Sequence, residues 1–168
     1  MAGLDDFWKD ALWQQFGAAI DMLGNAIEAC PDGLWSDRSR NPEFWYLVFH
    51  TLFFLDISLS GTVEGFHPPE PFTLDELDPA GVLPERPYTK EELRGYLRHG
   101  RRKCKETIES LTEEAARRRS GLYWVDVNFG ELLLYNLRHV QHHAAQLNLI
   151  LRQTVDAAPR WVGRARED

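Results

Sequence analysis

The run Phe44-Trp45-Tyr46-Leu47-Val48-Phe49-His50-Thr51-Leu52-Phe53-Phe54-Leu55 leaves a chain few ways to fold. Ahead of it, Asn41 can cap, Pro42 suits a first helical turn, and Glu43 favours the positive end of a helix dipole. The run is apolar around its whole circumference, so no single face is its buried face. It is too short to span a membrane, and Asp56 interrupts it. Such a helix is enclosed by its neighbours or shared with a second subunit. Because four-helix packing hides only part of each helix, a homodimer interface on this segment is the expectation. His50 is its one strongly polar group, and a lone histidine on an apolar helix is usually a satisfied core residue.

A second long helix is predicted from Asn128 to about Val155. Asn128-Phe129-Gly130-Glu131 resembles a capping box, with asparagine in the capping place. This segment holds three of the six histidines, His139, His142 and His143. Wound at about 100° per residue, it puts Arg138, Gln141, Ala145, Asn148 and Arg152 on a wet side. His139 and His143, four apart, then point toward the middle of the apolar arc, beside Leu132, Leu147 and Ile150. Buried imidazoles need partners for both ring nitrogens. Two readings fit: core histidines bonded to carbonyls or carboxylates, or a pair sharing a divalent metal.

Two further helices complete the pattern. Phe7, Leu12, Phe16, Ile20, Leu23 and Ile27 recur at helical spacing from Leu4 to Ala29, with Asp5 and Asp6 at the positive end of the dipole and Cys30-Pro31-Asp32-Gly33 as the stop. Thr89-Lys90-Glu91-Glu92 opens another, predicted to run to about Ala116, with Arg101, Arg102, Lys103, Lys105 and His99 on a solvated face. Six prolines between Gly61 and Tyr88 exclude continuous helix there, leaving a long crossover pinned by Phe66, Phe72, Leu74 and Leu77. His67 in it is expected at the surface. Residues 155–168 form a tail whose one docking point is Trp161. The expected fold is all-α: one domain over residues 1–168, a four-helix bundle with a long crossover between its second and third helices.

The net charge of −7 argues against a nucleic-acid partner. Cys30 and Cys104 lack metal or disulfide spacing, and residues 1–10 carry no secretory pattern, so a cytoplasmic protein without membrane association is expected.

Bundles build metal sites from facing helices, so His50 can meet His139 and His143. Three neutral imidazoles suit Zn²⁺ or Ni²⁺ and leave open positions. Trp45, His50, Thr51 and Leu52, with His139, His143, Gln146 and Leu147, resemble the DinB/YfiT-like metal-dependent enzymes. The resemblance covers nearly the whole chain in helix count and order. It implies an up-down-down-up four-helix bundle, often homodimeric, with a divalent metal, Zn or Ni, on His50, His139 and His143. Some members are transferases or isomerases acting with low-molecular-weight thiols such as bacillithiol, mycothiol or glutathione; others are described as damage-inducible proteins or possible hydrolases. Many members follow the second histidine of the last helix with Arg-Gly, where an arginine can hold an anionic group. Here those places are Ala144 and Ala145, which leaves use of a thiol cofactor open.

Gln146 falls near the histidine pair, to hold a ring nitrogen, to contact a small-molecule substrate, or to pack at the core edge. His142 can replace a ligand, stack beside the site, or face water. Glu43, seven before His50, is a candidate acid–base group. The expected activity is metal-assisted activation of a thiol or water, and the absence of a recognisable general base favours thiol transfer or isomerisation over hydrolysis. The other readings are a non-catalytic metal-binding or stress-response protein, and a metal-free module with three core histidines.

Overall fold

Local signals start the helices where local chemistry can satisfy their free amides. Thr89 Oγ1 accepts from the Glu92 amide and Glu92 Oε2 from the Thr89 amide, a full capping box. Asn128 Oδ1 accepts from the Glu131 amide at 2.8 Å. The computed structural model describes residues 4–167, with side chains from Asp6 onward, so Asp5, expected at the dipole, lies outside the described side chains. Among the described residues are six helices and no strand: α1 Leu4–Ala29, α2 Asp32–Trp35, α3 Phe44–Ser60, α4 Lys90–Glu109, α5 Glu113–Arg117 and α6 Phe129–Val155. Asp75–Leu77 adds one 3-10 turn in the crossover.

Two boundaries differ from expectation. The helix expected to begin at Pro42 begins at Phe44, with Glu43 extended before it. The helix expected to reach Ala116 breaks after Glu109. There Ser110 Oγ bonds back to the Glu106 carbonyl at 2.7 Å, and Thr112 caps a separate short helix through the Ala115 amide. Side-chain hydroxyls compete with the helical ladder, and two of them close together end it.

α1 and α3 each lie against both α4 and α6. The core is one cluster running from Phe16 of α1 to Leu151 of α6. Gly100 of α4 lets Leu55 of α3 come close, for a Cβ there would lie 2.9 Å from Leu55 Cδ2. No described helix is long and apolar enough to cross a membrane.

The apolar circumference of α3 is enclosed by its own chain. Only Tyr46, His50, Phe54 and Ser60 escape full burial. Phe72 stacks between Phe49 and Tyr96, with ring centroids 5.9 and 4.4 Å away, and Phe66 meets Phe53 edge-on at 5.6 Å. The expectation of a subunit interface on α3 is therefore corrected: the crossover covers the face that a partner was needed for. Tyr46, His50 and Phe54, spaced by four, form the line left open.

The tail docks through residues other than Trp161, which is 71% exposed. The Ala165 amide donates to the Gln14 carbonyl at 2.9 Å, and the Arg166 amide donates to Asp21 Oδ2 at 2.8 Å. Arg101 of α4 ties both down, donating to Asp21 Oδ1 at 2.9 Å and to the Arg166 carbonyl at 2.7 Å. A Cβ on Gly17 would lie 2.5 Å from Ala165 Cβ. Gly17→Ala is thus expected to push the tail off α1, at a cost of about 1–3 kcal/mol, exposing residues 156–168 to limited proteolysis. Ala165→Gly should restore protection; if Gly17→Ala leaves the cleavage pattern unchanged, the close approach is wrong.

Candidate metal centre

His50 sits midway along the open line of α3. His139 and His143 sit one turn apart on α6. The buried stripe of α6 runs through Leu132, Asn136, Val140, Ala144, Leu147 and Leu151. The two histidines flank this stripe on the α3 side and do not point to its middle, which corrects the helical-wheel reading. The reason is coverage by two neighbours. α1 shelters the opposite flank, where Gln141 Nε2 donates to Met22 Sδ at 3.7 Å, so the centre of burial moves away from the histidines.

The three rings meet. Centroids are 5.4 Å apart for His50 and His139, 4.9 Å for His50 and His143, and 4.5 Å for His139 and His143. One ligand nitrogen from each lies within 4.8 Å of the others, and all three residues are half-buried. They floor a cavity of about 390 Å³ whose walls include Phe54, Leu77, Trp124 and Tyr135. Phe54 joins wall to floor, edge-on to Trp124 at 5.5 Å and to His139 at 5.8 Å.

Two of the three rings are held through Nδ1. His50 Nδ1 donates to Glu76 Oε2 at 2.7 Å, and Tyr46 Oη donates to Glu76 Oε1 at 2.7 Å. His143 Nδ1 donates to Gln146 Oε1 at 2.7 Å. Each bond makes Nδ1 the donating nitrogen and leaves Nε2 as the one that could meet a ligand. Burial, reinforced by the neighbouring imidazoles, pushes the His139 pKa down to about 3. Burial also pushes His143 down to about 4, opposed by its bond to Gln146. Both rings are neutral at neutral pH, the state that ligates metal.

A family model of the DinB superfamily matches residues 15–147, a span that contains all three histidines. The chain belongs to the DinB superfamily. No match was found among curated proteins or among solved structures.

The residues of this DinB-superfamily chain fit a metal. His139 Nδ1 is buried without a hydrogen-bond partner, a penalty of about 1–3 kcal/mol in a purely structural core. The donor set is imidazole nitrogen with a carboxylate behind one ring, the arrangement that orients ligands at zinc sites. Gln146, expected near the pair, is on His143. His142 is exposed, with its ring 5.0 Å from that of His143, and lines an adjoining groove with Arg138. Glu43 is engaged elsewhere: its Oε2 accepts from Trp45 Nε1 at 2.7 Å and pairs with Arg38 at 2.9 Å, and it does not line the cavity. Ala144 is fully buried and Ala145 faces outward, so neither place where relatives often carry Arg-Gly offers a polar group to the cavity. His67 is exposed, as expected.

Glu76 escaped the sequence reading. It lies in the proline-rich crossover, on a single 3-10 turn with no periodicity to mark it. The usable signal was Asp75-Glu76-Leu77 itself: an acidic pair next to an apolar anchor, in a stretch that must lie on α3. Leu77 is half-buried there, while Leu74, expected as a second anchor, is 41% exposed.

Proposed function

We propose that this chain is a DinB-superfamily metal-dependent enzyme that holds Zn²⁺ or Ni²⁺ on His50, His139 and His143 and activates a thiol or a water. The observation that carries the reading is the convergence of three half-buried imidazoles from α3 and α6 on the floor of an open cavity. A divalent ion held by three protein ligands supplies Lewis acidity at its open positions, making a thiol or water a better nucleophile near neutral pH. The chain's own residues do the rest. Glu76 and Gln146 fix the orientation of two rings, and Phe54 and Trp124 keep bulk water from one side of the floor.

Transferase or isomerase chemistry with a thiol is preferred to hydrolysis, since Glu76, the carboxylate in the cavity wall, is already occupied by Tyr46 and His50. A non-catalytic metal-binding or stress-response protein is the alternative, and the open cavity favours the enzyme. The long crossover between α3 and α4, which lie against each other, supports the up-down-down-up order that the resemblance implies. A homodimer would use a face other than α3, and two buried free thiols agree with a cytoplasmic setting.

Elemental analysis of untagged protein is expected to find close to one divalent ion per chain. Glu76→Ala should weaken zinc affinity by about 10–100-fold in calorimetric titration of the stripped protein. Untagged wild-type protein that takes up no zinc or nickel would overturn the reading. A chelator that lowers the melting temperature while no exchangeable ligand occupies the ion would favour the structural alternative.

A further inference from the structure

The chemistry of the cavity above the three histidines is uneven. Its floor is polar and its walls are aromatic: Phe54, Tyr123, Trp124 and Tyr135, with Leu77. No lysine or arginine lines it among the described residues, and its one acidic group is the Glu76 carboxylate. Arg138, the nearest cation by sequence to the pair, lines the adjoining groove on the outer side of α6. Buried Ala144 offers nothing to an anion. A carboxylate entering this space would lose hydration beside aromatic rings and a like charge, with no counter-charge on the walls.

We propose that the cavity takes a flat, uncharged apolar molecule carrying a single donor group, and discriminates against ligands whose body bears a carboxylate. The rings of Trp124, Phe54 and Tyr135 hold the flat body, and the donor group faces the histidine floor. A volume of about 390 Å³ falls at the small end of ligand pockets, which run to roughly 300–1,000 Å³, and fits a body of one or two fused rings. The inference depends on the proposed metal only for the donor group; the selection of the body rests on the walls. It sets this chain apart from use of carboxylate-rich thiols such as glutathione.

The test is calorimetric titration at pH 8 of protein stripped of metal, with 2-naphthalenemethanol and with 6-(hydroxymethyl)-2-naphthoate, which keeps the donor group and adds a carboxylate to the body. The alcohol is expected to bind at least about tenfold tighter. Trp124→Ala should weaken the alcohol by about tenfold. Tyr135→Lys, which puts a cation on the rim, should raise naphthoate affinity and narrow the preference. Equal or tighter binding of naphthoate to the wild type, no binding of either, or an alcohol affinity indifferent to Trp124→Ala overturns the proposal. A separate arm adds zinc and titrates 2-naphthalenethiol, expected to bind tighter with zinc in the wild type and without that gain in His139→Ala. Loss of the zinc gain alone, with the alcohol preference intact, removes the metal reading and supports the selectivity of the walls.

Discussion

Replacing His139 by leucine is expected to strip the metal and, at the same time, to make the metal-free protein more stable. On the proposed assignment, the first effect follows from losing one of three ligands. Changing a residue that merely orients a ligand costs about 10–100-fold in affinity, so removing the ligand costs more. The second follows from the ring's surroundings. His139 Nδ1 is buried with no partner, and an unpaired buried polar group costs about 1–3 kcal/mol. Leucine is of similar size and has no such group, and it would face Phe54 and the other wall residues. His143→Leu is the control, because His143 already gives its Nδ1 proton to Gln146 at 2.7 Å. It should lose metal without the gain in stability. Melting curves and zinc titrations of stripped wild type and both variants decide the matter. If His139→Leu melts well below stripped wild type, the unpaired nitrogen is not a liability and the residue is an ordinary core histidine.

Asp56→Ala should be the most damaging substitution outside the site, lowering stability by about 3 kcal/mol, the low end for breaking a buried ion pair. Asp56 is 1% exposed and carries three partners from α4. Its Oδ1 accepts from Lys103 Nζ at 2.5 Å and lies 3.4 Å from His99 Nε2, and its Oδ2 accepts from Tyr96 Oη at 3.0 Å. Alanine would leave the buried Tyr96 hydroxyl unpaired and free Lys103 of its acid. Lys103 is 28% exposed on its side chain and can recover some hydration, which is why the low end applies. For a domain of this size the melting temperature should fall by roughly 6–12 °C. Asp56→Leu with Lys103→Met and Tyr96→Phe should recover much of the loss, since apolar groups then replace the ions and the hydroxyl that Asp56 held. A drop below about 2 °C for Asp56→Ala would mean that the cluster is solvated in solution.

Much of the bundle could be read from spacing, because helical periodicity and caps are local. Thr89 and Asn128 start their helices through residues three positions away, and the sequence displays both partners side by side. The three histidines were also legible, two by their spacing of four and one as the sole polar group in an apolar run. What escaped depends on residues far apart in the chain. Arg101, Lys103 and His99 look like a solvated face, yet Arg101 grips Asp21 and the other two meet Asp56. A sequence displays a charge but not the buried acid that a facing helix will bring to it. Asp56 reads as an interruption of an apolar run, when it is the acceptor that locks α3 to α4. The circumference of α3 shows that something must cover it, but not whether that cover is another subunit or the chain's own crossover. Glu76 was invisible for the same reason: its place beside His50 is set by Phe72 and Leu77 seating the crossover, not by any repeat.

The carboxylate that steadies His50 belongs to the crossover and to none of the long helices. Scaffold and adjustment are therefore separable in this molecule. Rewriting the few residues around Asp75–Leu77 can retune how strongly one imidazole donates, or reshape the mouth above it, while the packed interior stays as it is. Loop changes alone can therefore alter what the site accepts, in a lineage or in an engineer's hands.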